Sequence, residues 1–372
     1  MRNYLSDFTH NLFNFLELIK DYYFYQDSNI SEASLYITNK CNSDCIYCGK
    51  NSLSKDKDLS KKEIISLLNE LKYMGTKRIN ILGGEPFVRK DIWEIIEYIG
   101  SRGFFLSVVS NGLSVINFDR NKINILKKNV NLLDISFDSP VKRTEDYIRG
   151  VNGDYEKTLS GIESLTKNGI PVRVTTVISK YNFKDIPELI RLIARKGCKS
   201  INLQPVCPVK IFSKSNSKDG SYFLESDDLN DLKKSILLSK KVAKSLNLKN
   251  SLSLTEMWIY SYFINEKGWY RNLIRDFKCI VPYRNIIIYP NGDIAPCLLS
   301  PLFGNIRNSS LRNEIKKIKS FKQSIKKQLP SYCDNCFCYF TLNMIFSILT
   351  SPIKNRSHLF NIIKNVAGKY HR

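Results

Sequence analysis

The chain has 372 residues, ten cysteines, 43% hydrophobic residues and a formal net charge of +22. That length suits one large α/β domain plus a smaller one. No stretch reaches the roughly 20 apolar residues that a membrane span needs. Cysteines without a secretory signal argue against a disulfide-stapled secreted scaffold and for a cytoplasmic chain whose thiols serve as ligands.

In chain order, Phe8–Tyr25 comes first, an amphipathic stretch with Leu12, Phe15, Leu16, Ile19 and Tyr23 near one face. Ser34–Thr38 reads as a strand, followed by a cysteine-rich loop. Ser60–Met74 reads as a helix, with Ser60 and Glu63 forming a capping box and Gly75 ending it. Arg78–Leu82 is the second strand, Asp91–Arg102 a helix, and Leu106–Ser110 the third strand. Lys122–Lys128 is helical and Leu133–Phe137 the fourth strand. Tyr155–Asn168 is a helix that stops at Gly169-Ile170-Pro171. Arg173–Ile178 is a β-branched fifth strand, Ile186–Lys196 a helix, and Ser200–Gln204 the sixth strand. Six βα units in a row predict a parallel sheet under helices, and right-handed crossovers curl it into a partial (β/α)6 TIM-like barrel.

The unusual residues fall where barrels of this kind place chemistry, at the carboxyl ends of the strands. Cys41-Asn-Ser-Asp-Cys45-Ile-Tyr-Cys48 follows the first strand and Gly83-Gly84-Glu85-Pro86 the second. Ser110-Asn111-Gly112 follows the third, Ser136-Phe137-Asp138 ends the fourth, and Cys207 comes just after the sixth. Three thiolates spaced three and then two residues apart hold three corners of a cubane and leave its fourth iron without a protein ligand. An electron carrier would surround its cluster with four cysteines. A zinc knuckle is the alternative, but zinc sites favour paired N/S ligands, and the only histidines are His10, His358 and His371.

The C-x3-C-x2-C motif with Tyr47 before its last cysteine resembles the signature of the radical S-adenosylmethionine (SAM) enzymes. Gly83, Gly84, Glu85 and Pro86 match that family's Gly-Gly-Glu-Pro segment, which receives the amino group of SAM. Ser110-Asn111-Gly112 resembles its Thr-Asn-Gly segment. The resemblance implies that Cys41, Cys45 and Cys48 bind a catalytic 4Fe–4S cluster and that Ser136 and Asp138 reach the ribose and carboxylate of SAM. It also implies that Ile178 lines the adenine and that a flavodoxin- or ferredoxin-type protein supplies electrons. The resemblance covers about Ser34 to Val206. Arg149, just beyond strand four, is read as a surface residue, with a hold on an anionic group as the alternative.

After a polar loop at Lys214–Ser221, Ser226–Leu246 reads as a helix with acidic residues in its first turn, and Leu254–Tyr270 carries no assigned chemistry. A second cysteine set comprises Cys279, Cys297, Cys333, Cys336 and Cys338. Pro290-Asn291-Gly292-Asp293 is a hairpin turn between Ile286–Tyr289 and Ile294-Ala295 that brings Cys279 and Cys297 to one end. This pattern resembles the auxiliary-cluster extension of radical SAM enzymes. Its SPASM form carries two clusters, and its shortened twitch form carries one on four cysteines. The cysteine count here favours twitch, with a second 4Fe–4S cluster on Cys279, Cys297, Cys333 and Cys336 and with Cys338 as alternative ligand. Structural zinc is the other reading. The expected organisation is an extension over 1–30, a core barrel over 31–210, a helical cover over 211–278, an auxiliary domain over 279–340 and an apolar then basic tail over 341–372.

Function follows the resemblance: reductive cleavage of SAM and hydrogen abstraction from an unactivated C–H bond of a small-molecule, sugar or lipid-linked substrate. Thirty N-terminal residues look short for a leader-binding domain, which weighs against ribosomal peptides. The terminal His371-Arg372 lacks the Gly-Gly ending of molybdopterin-precursor cyclases. A thiol at Cys207 would return a hydrogen atom to a substrate radical, with inert packing as the plainer reading, and Cys198 reads as a core residue. Charge is uneven: from Cys279 on there are 14 Lys/Arg against 3 Asp/Glu. Such a field favours anionic partners. No nucleic-acid module is apparent, so specific nucleic-acid binding is not expected. Uncharged Phe337–Ile353 beside a basic tail fits peripheral membrane contact, with packing onto the barrel as the alternative.

Overall fold

The computed structural model describes residues 30–48, 57–206, 222–250, 281–298 and 300–318. The stretches Phe8–Tyr25, Lys214–Ser221, Leu254–Tyr270 and Phe337–Ile353 lie outside them, as do Cys207, Cys279, Cys333, Cys336 and Cys338.

The strands are β1 (Glu32–Tyr36), β2 (Arg78–Leu82), β3 (Phe105–Ser110), β4 (Leu132–Ser136), β5 (Val172–Ile178) and β6 (Ser200–Pro205). Between them run α1 (Lys61–Tyr73), α2 (Ile92–Ser101), α3 (Arg120–Asn129), α4 (Lys142–Arg149), α5 (Asp154–Lys167) and α6 (Ile186–Arg195), and α7 (Leu229–Ser245) follows β6. Neighbouring strands pair in parallel from β1 through β6 in sequence order. All their carboxyl ends therefore open on one rim. The capping box expected at Ser60 and Glu63 is present, and it starts α1 where the sequence places it.

Three features extend the expected six strands. β7 (Lys249–Asn250) adds to β6. After a short helix α8 (Val281–Arg284), β8 (Asn285–Ile288) pairs in parallel with the free edge of β1. β9 (Asp293–Ala295) and β10 (Gly304–Asn305) then pair antiparallel beyond it, making a ten-stranded open sheet. The expected hairpin is present, closed by Tyr289 N–H donating to Asp293 O at 2.8 Å, with Gly292 at φ 91°. Its first strand thus continues the barrel's own sheet.

The two faces of the sheet differ in chemistry. Toward the helices point Ile79, Ile81, Leu106, Val108, Leu133, Ile135 and Val174, all fully buried. Each contributes about 1.5–3 kcal/mol of burial. The residues between them point the other way and are largely polar. Asn80 Nδ2 donates to Glu32, Ser107 Oγ donates to Asn80, and Ser34 Oγ donates to Asn285 Oδ1 at 3.3 Å. Arg173 grips both oxygens of Asp134 at 2.5 and 2.6 Å, and Thr175 donates to the same carboxylate at 3.0 Å. A sheet covered on both faces would be aliphatic on both; this one faces something polar.

Candidate active site at the carboxyl rim

The loop after β1 is set first by the glycines after β2. Gly84 N–H donates to Thr38 O at 2.7 Å, and Glu85 N–H donates to Lys40 O at 2.8 Å. A Cβ on Gly83 would lie 2.6 Å from Thr38 O, and one on Gly84 would lie 2.1 Å from Lys40 O. Two backbones pressed this closely leave no room for a side chain, and the contact fixes where the chain turns into Cys41.

Cys41, Cys45 and Cys48 are not joined in disulfides; the first two are half-buried and the third is exposed. Cys41 Sγ accepts from Ser43 N–H at 3.4 Å and from Asn111 Nδ2 at 3.9 Å. Cys45 Sγ accepts from Arg149 Nη1 at 3.8 Å. On either side of Cys45, Asp44 N–H donates to Arg149 O and Ile46 N–H to Ile148 O, both at 3.0 Å. Burial pushes the Cys45 thiol up to about 11, while the Arg149 guanidinium pulls the other way.

The side chain of Glu85 is fully buried and bonded within the protein. It accepts from Ser110 Oγ at 2.9 Å, from Asn111 N–H at 2.7 Å and from Phe87 N–H at 3.1 Å. Burial raises its carboxyl to about 7 in spite of these bonds. Pro86 opens a short turn behind it. Asn111 in turn donates to Asn42 Oδ1 at 2.7 Å and to Ser43 Oγ at 2.8 Å. Glu85 therefore holds β3's terminal turn, and Asn111 holds the cysteine loop.

Asp138 is likewise bracketed. It accepts from Val177 N–H at 2.7 Å and from the Tyr47 hydroxyl, and it lies 2.9 Å from Arg149 Nη2. Burial and the neighbouring Asp138 charge raise the Tyr47 hydroxyl well above its ordinary value. Glu145 accepts from the backbone of Asp138 and Ser139 at 2.8 and 2.7 Å, and burial raises its carboxyl to about 8. Ser136 is half-buried at the end of β4, and its hydroxyl makes no hydrogen bond to another described residue. Ile178, expected at the adenine, packs in the helix-facing core at 1% exposure. Cys198 is buried as expected, its thiol pushed up to about 12 by desolvation. Cys297 is half-buried after β9, in a turn closed by Ser300.

Arg149 corrects the sequence reading. It is a buried cation, 5% exposed, held by Asp138 and Glu145 rather than by solvent. The helix carrying it was not expected either, because its sequence, KRTEDYIR, offers Ile148 as the only buried aliphatic. The available signal was the Glu145/Arg149 pair four residues apart, immediately before a glycine.

The donor set suits an iron–sulfur cluster: three thiols outside any disulfide share one loop at the rim, and N–H groups point at two of them. Among the described residues no three Cys, His, Asp or Glu side chains converge as they would on a lone metal ion. A cubane offers a separate iron to each thiolate and does not require that convergence.

This arrangement defines a radical SAM rim on a partial barrel. Residues 35–193 match the radical SAM superfamily and residues 279–337 the SPASM iron–sulfur cluster-binding domain, so the chain carries a radical SAM core followed by a C-terminal auxiliary-cluster region. Its cofactors are a 4Fe–4S cluster, SAM and auxiliary iron–sulfur. It is 30% identical over 163 residues to the AdoMet-dependent heme synthase of Methanosarcina barkeri, covering 43% of this chain and 46% of that protein. It is 30% identical over 166 residues to a probable GTP 3',8-cyclase of Methanothermobacter marburgensis, covering 43% and 53%. Over 163 residues it is 27% identical to the mycofactocin maturase MftC of Mycolicibacterium smegmatis, covering 43% and 41%. The chain thus spans about half the length of the curated relatives it matches. Among solved structures, Streptococcus suis SuiB bound to SAM superposes with a TM-score of 0.61 at 18% identity, covering 85% of this chain and 74% of that one. At such identity the likeness establishes the fold alone.

Proposed function

We propose that this enzyme cleaves SAM reductively and removes a hydrogen atom from an unactivated C–H bond of a small-molecule, sugar or lipid-linked substrate. The observation that carries this reading is the rim itself. Residues far apart in sequence, Asn111 and Arg149, aim N–H groups at Cys41 and Cys45 of one loop. Cys41, Cys45 and Cys48 would hold the cluster. Gly83 through Pro86, Ser110, Asn111, Ser136 and Asp138 would form the walls beside SAM, with Ser136 offering a hydroxyl not engaged by another described residue. When bound and reduced by a flavodoxin- or ferredoxin-type donor, the cluster supplies the electron that converts SAM into the hydrogen-abstracting radical. Cys279, Cys297, Cys333 and Cys336, with Cys338 as alternative, would hold the second cluster.

A polar, anionic substrate is supported by the polar inner face of the sheet and by the +22 charge. It is also supported by relatives named for heme and for GTP. A ribosomal peptide is the second reading, favoured by the relative named a maturase and by fold neighbours solved with peptides, SuiB with precursor peptide SuiA among them.

After anaerobic reconstitution, the protein should form 5′-deoxyadenosine only when both reductant and SAM are present. Fractions of cell extract that accelerate the reaction then separate the substrates. Acceleration by small anions retained on an anion exchanger supports the first reading. Acceleration confined to protease-sensitive fractions supports the peptide.

A further inference from the structure

Each of the three thiols on the rim loop meets a different environment. Cys41 faces neutral donors, Ser43 N–H and the Asn111 amide. Cys48 is exposed. Cys45 accepts from a side-chain cation, and that cation is buried: Arg149 is 5% exposed, and its partners Asp138 and Glu145 are both at 0%. The guanidinium donates from Nε to Glu145 Oε1 at 3.3 Å and from Nη1 to Cys45 Sγ at 3.8 Å, while Nη2 lies 2.9 Å from Asp138 Oδ2 as an ion pair without hydrogen-bond geometry.

The scaffold behind the arginine is also fixed. Asp138 is held by Val177 N–H, and Glu145 by two backbone N–H groups. Gly150, at φ 65°, lets α4 end so close to the loop that a Cβ there would lie 2.3 Å from Asp44 O. A planar fork hydrogen-bonded to Glu145 and ion-paired with Asp138 points its remaining arm in one direction, which a flexible ammonium cannot reproduce.

We infer that Arg149 is a positioning residue for the catalytic cluster, raising the reduction potential of the iron that Cys45 ligates while Asp138 moderates that effect. The inference rests on Cys45 being a cluster ligand, as proposed above. Hydrogen bonds to ligating sulfurs and local charge set iron–sulfur potentials. A charge works harder in a desolvated site, because the local dielectric is low. An N–H donor carrying positive charge, 3.8 Å from the sulfur, favours the reduced cluster, which is the more negative state. If Arg149 and Asp138 cancelled each other at the sulfur, the potential would be indifferent to the pair.

Two variants separate these roles because they push in opposite directions. Asp138→Asn removes the moderating charge and leaves the arginine. Arg149→Met with Asp138→Asn removes the cation without stranding the Asp138 carboxylate, the outcome that makes breaking a buried pair so destabilising. The readout is the midpoint potential of the catalytic cluster, followed by electron paramagnetic resonance in an anaerobic redox titration, with iron and sulfide counted per chain. Asp138→Asn should raise the potential, and the double variant should lower it relative to the wild type. Each shift should be about tenfold in the reduced-to-oxidised ratio, which is ~59 mV for one electron. Unchanged potentials, or shifts of the same sign, overturn the inference. If the double variant fails to fold or load, the single variant decides, and no upward shift there is enough to overturn it. A wild-type chain that assembles no cluster on Cys41, Cys45 and Cys48 would sink the proposed function instead.

Discussion

Cys41–Cys48 leaves β1 in the middle of the sheet, between β8 and β2, whereas Cys297 follows a hairpin near the sheet's outer edge. The first loop takes its support from β3 and from α4, at residues 70 and 104 positions away. The second is closed by Ser300, three residues on, and the hairpin behind it is bound to the barrel by Arg307, which reaches Glu63 and the carbonyls of Lys57, Asp58 and Asn291. The contrast separates two kinds of cysteine placement. At the rim, geometry is imposed by buried polar groups from several strands at once. At the edge, it is imposed by a local turn and a half-exposed clamp.

The largest test of that contrast removes one cysteine from each region. Cys41→Ala should abolish reductant-dependent 5′-deoxyadenosine formation. Cys297→Ala should lower iron per chain while leaving the rim cluster's spectrum in place. Loss of the rim signal in Cys297→Ala would show that the two regions are not independent.

Next in size is Glu85→Ala, which leaves two backbone N–H groups and the Ser110 hydroxyl buried without their acceptor. At about 1–3 kcal/mol for each such group, the chain should lose several kcal/mol in denaturant unfolding. Glu85 also sets a pH dependence. Its folded carboxyl titrates near 7 against an ordinary value of 4.5. Between those values the unfolded chain binds fewer protons, so stability should fall as pH rises through that window and level off above it. The loss amounts to about 3 kcal/mol at about 1.36 kcal/mol per pKa unit. Glu85→Gln should flatten this part of the profile.

Gly84→Ala should cost about 1–3 kcal/mol, the range for forcing atoms into a packed site, because the added carbon meets the Lys40 carbonyl at 2.1 Å. It should also disturb Cys41 loading. Smallest is Arg307→Ala. Its pairing with Glu63 is about a third exposed, so the effect should be about 1 kcal/mol or less. Because the guanidinium and the Ser60 cap hold the Glu63 carboxyl down to about 2, that contribution is present at neutral pH and is lost as pH falls below 4.5 toward 2.

The six parallel strands and their rim were legible in the sequence because alternation of buried aliphatics with inward polar residues survives in β1, β2 and β5. Helix α1 was legible to its cap through Ser60 and Glu63. Helix α4 was not, since its buried side chains include Glu145 and Arg149, and charge at a core position defeats a pattern built on hydrophobicity. The same blindness put Arg149 at the surface. The pairing of β8 with β1 was hidden for another reason. It joins residues about 250 positions apart, and no local signal names a strand's partner across that distance. For Glu85 and Asp138 residue type was legible and orientation was not; the fold shows that each side chain is bonded within its own protein.

One experiment bears most directly on the central claim that Cys41, Cys45 and Cys48 present a cluster with an open iron to SAM. Anaerobically reconstituted, reduced protein is examined by electron paramagnetic resonance before and after SAM is added. A 4Fe–4S signal whose g-values change on addition is expected, with Cys45→Ala losing both signal and change. A rim that holds zinc, or a signal indifferent to SAM, would contradict it.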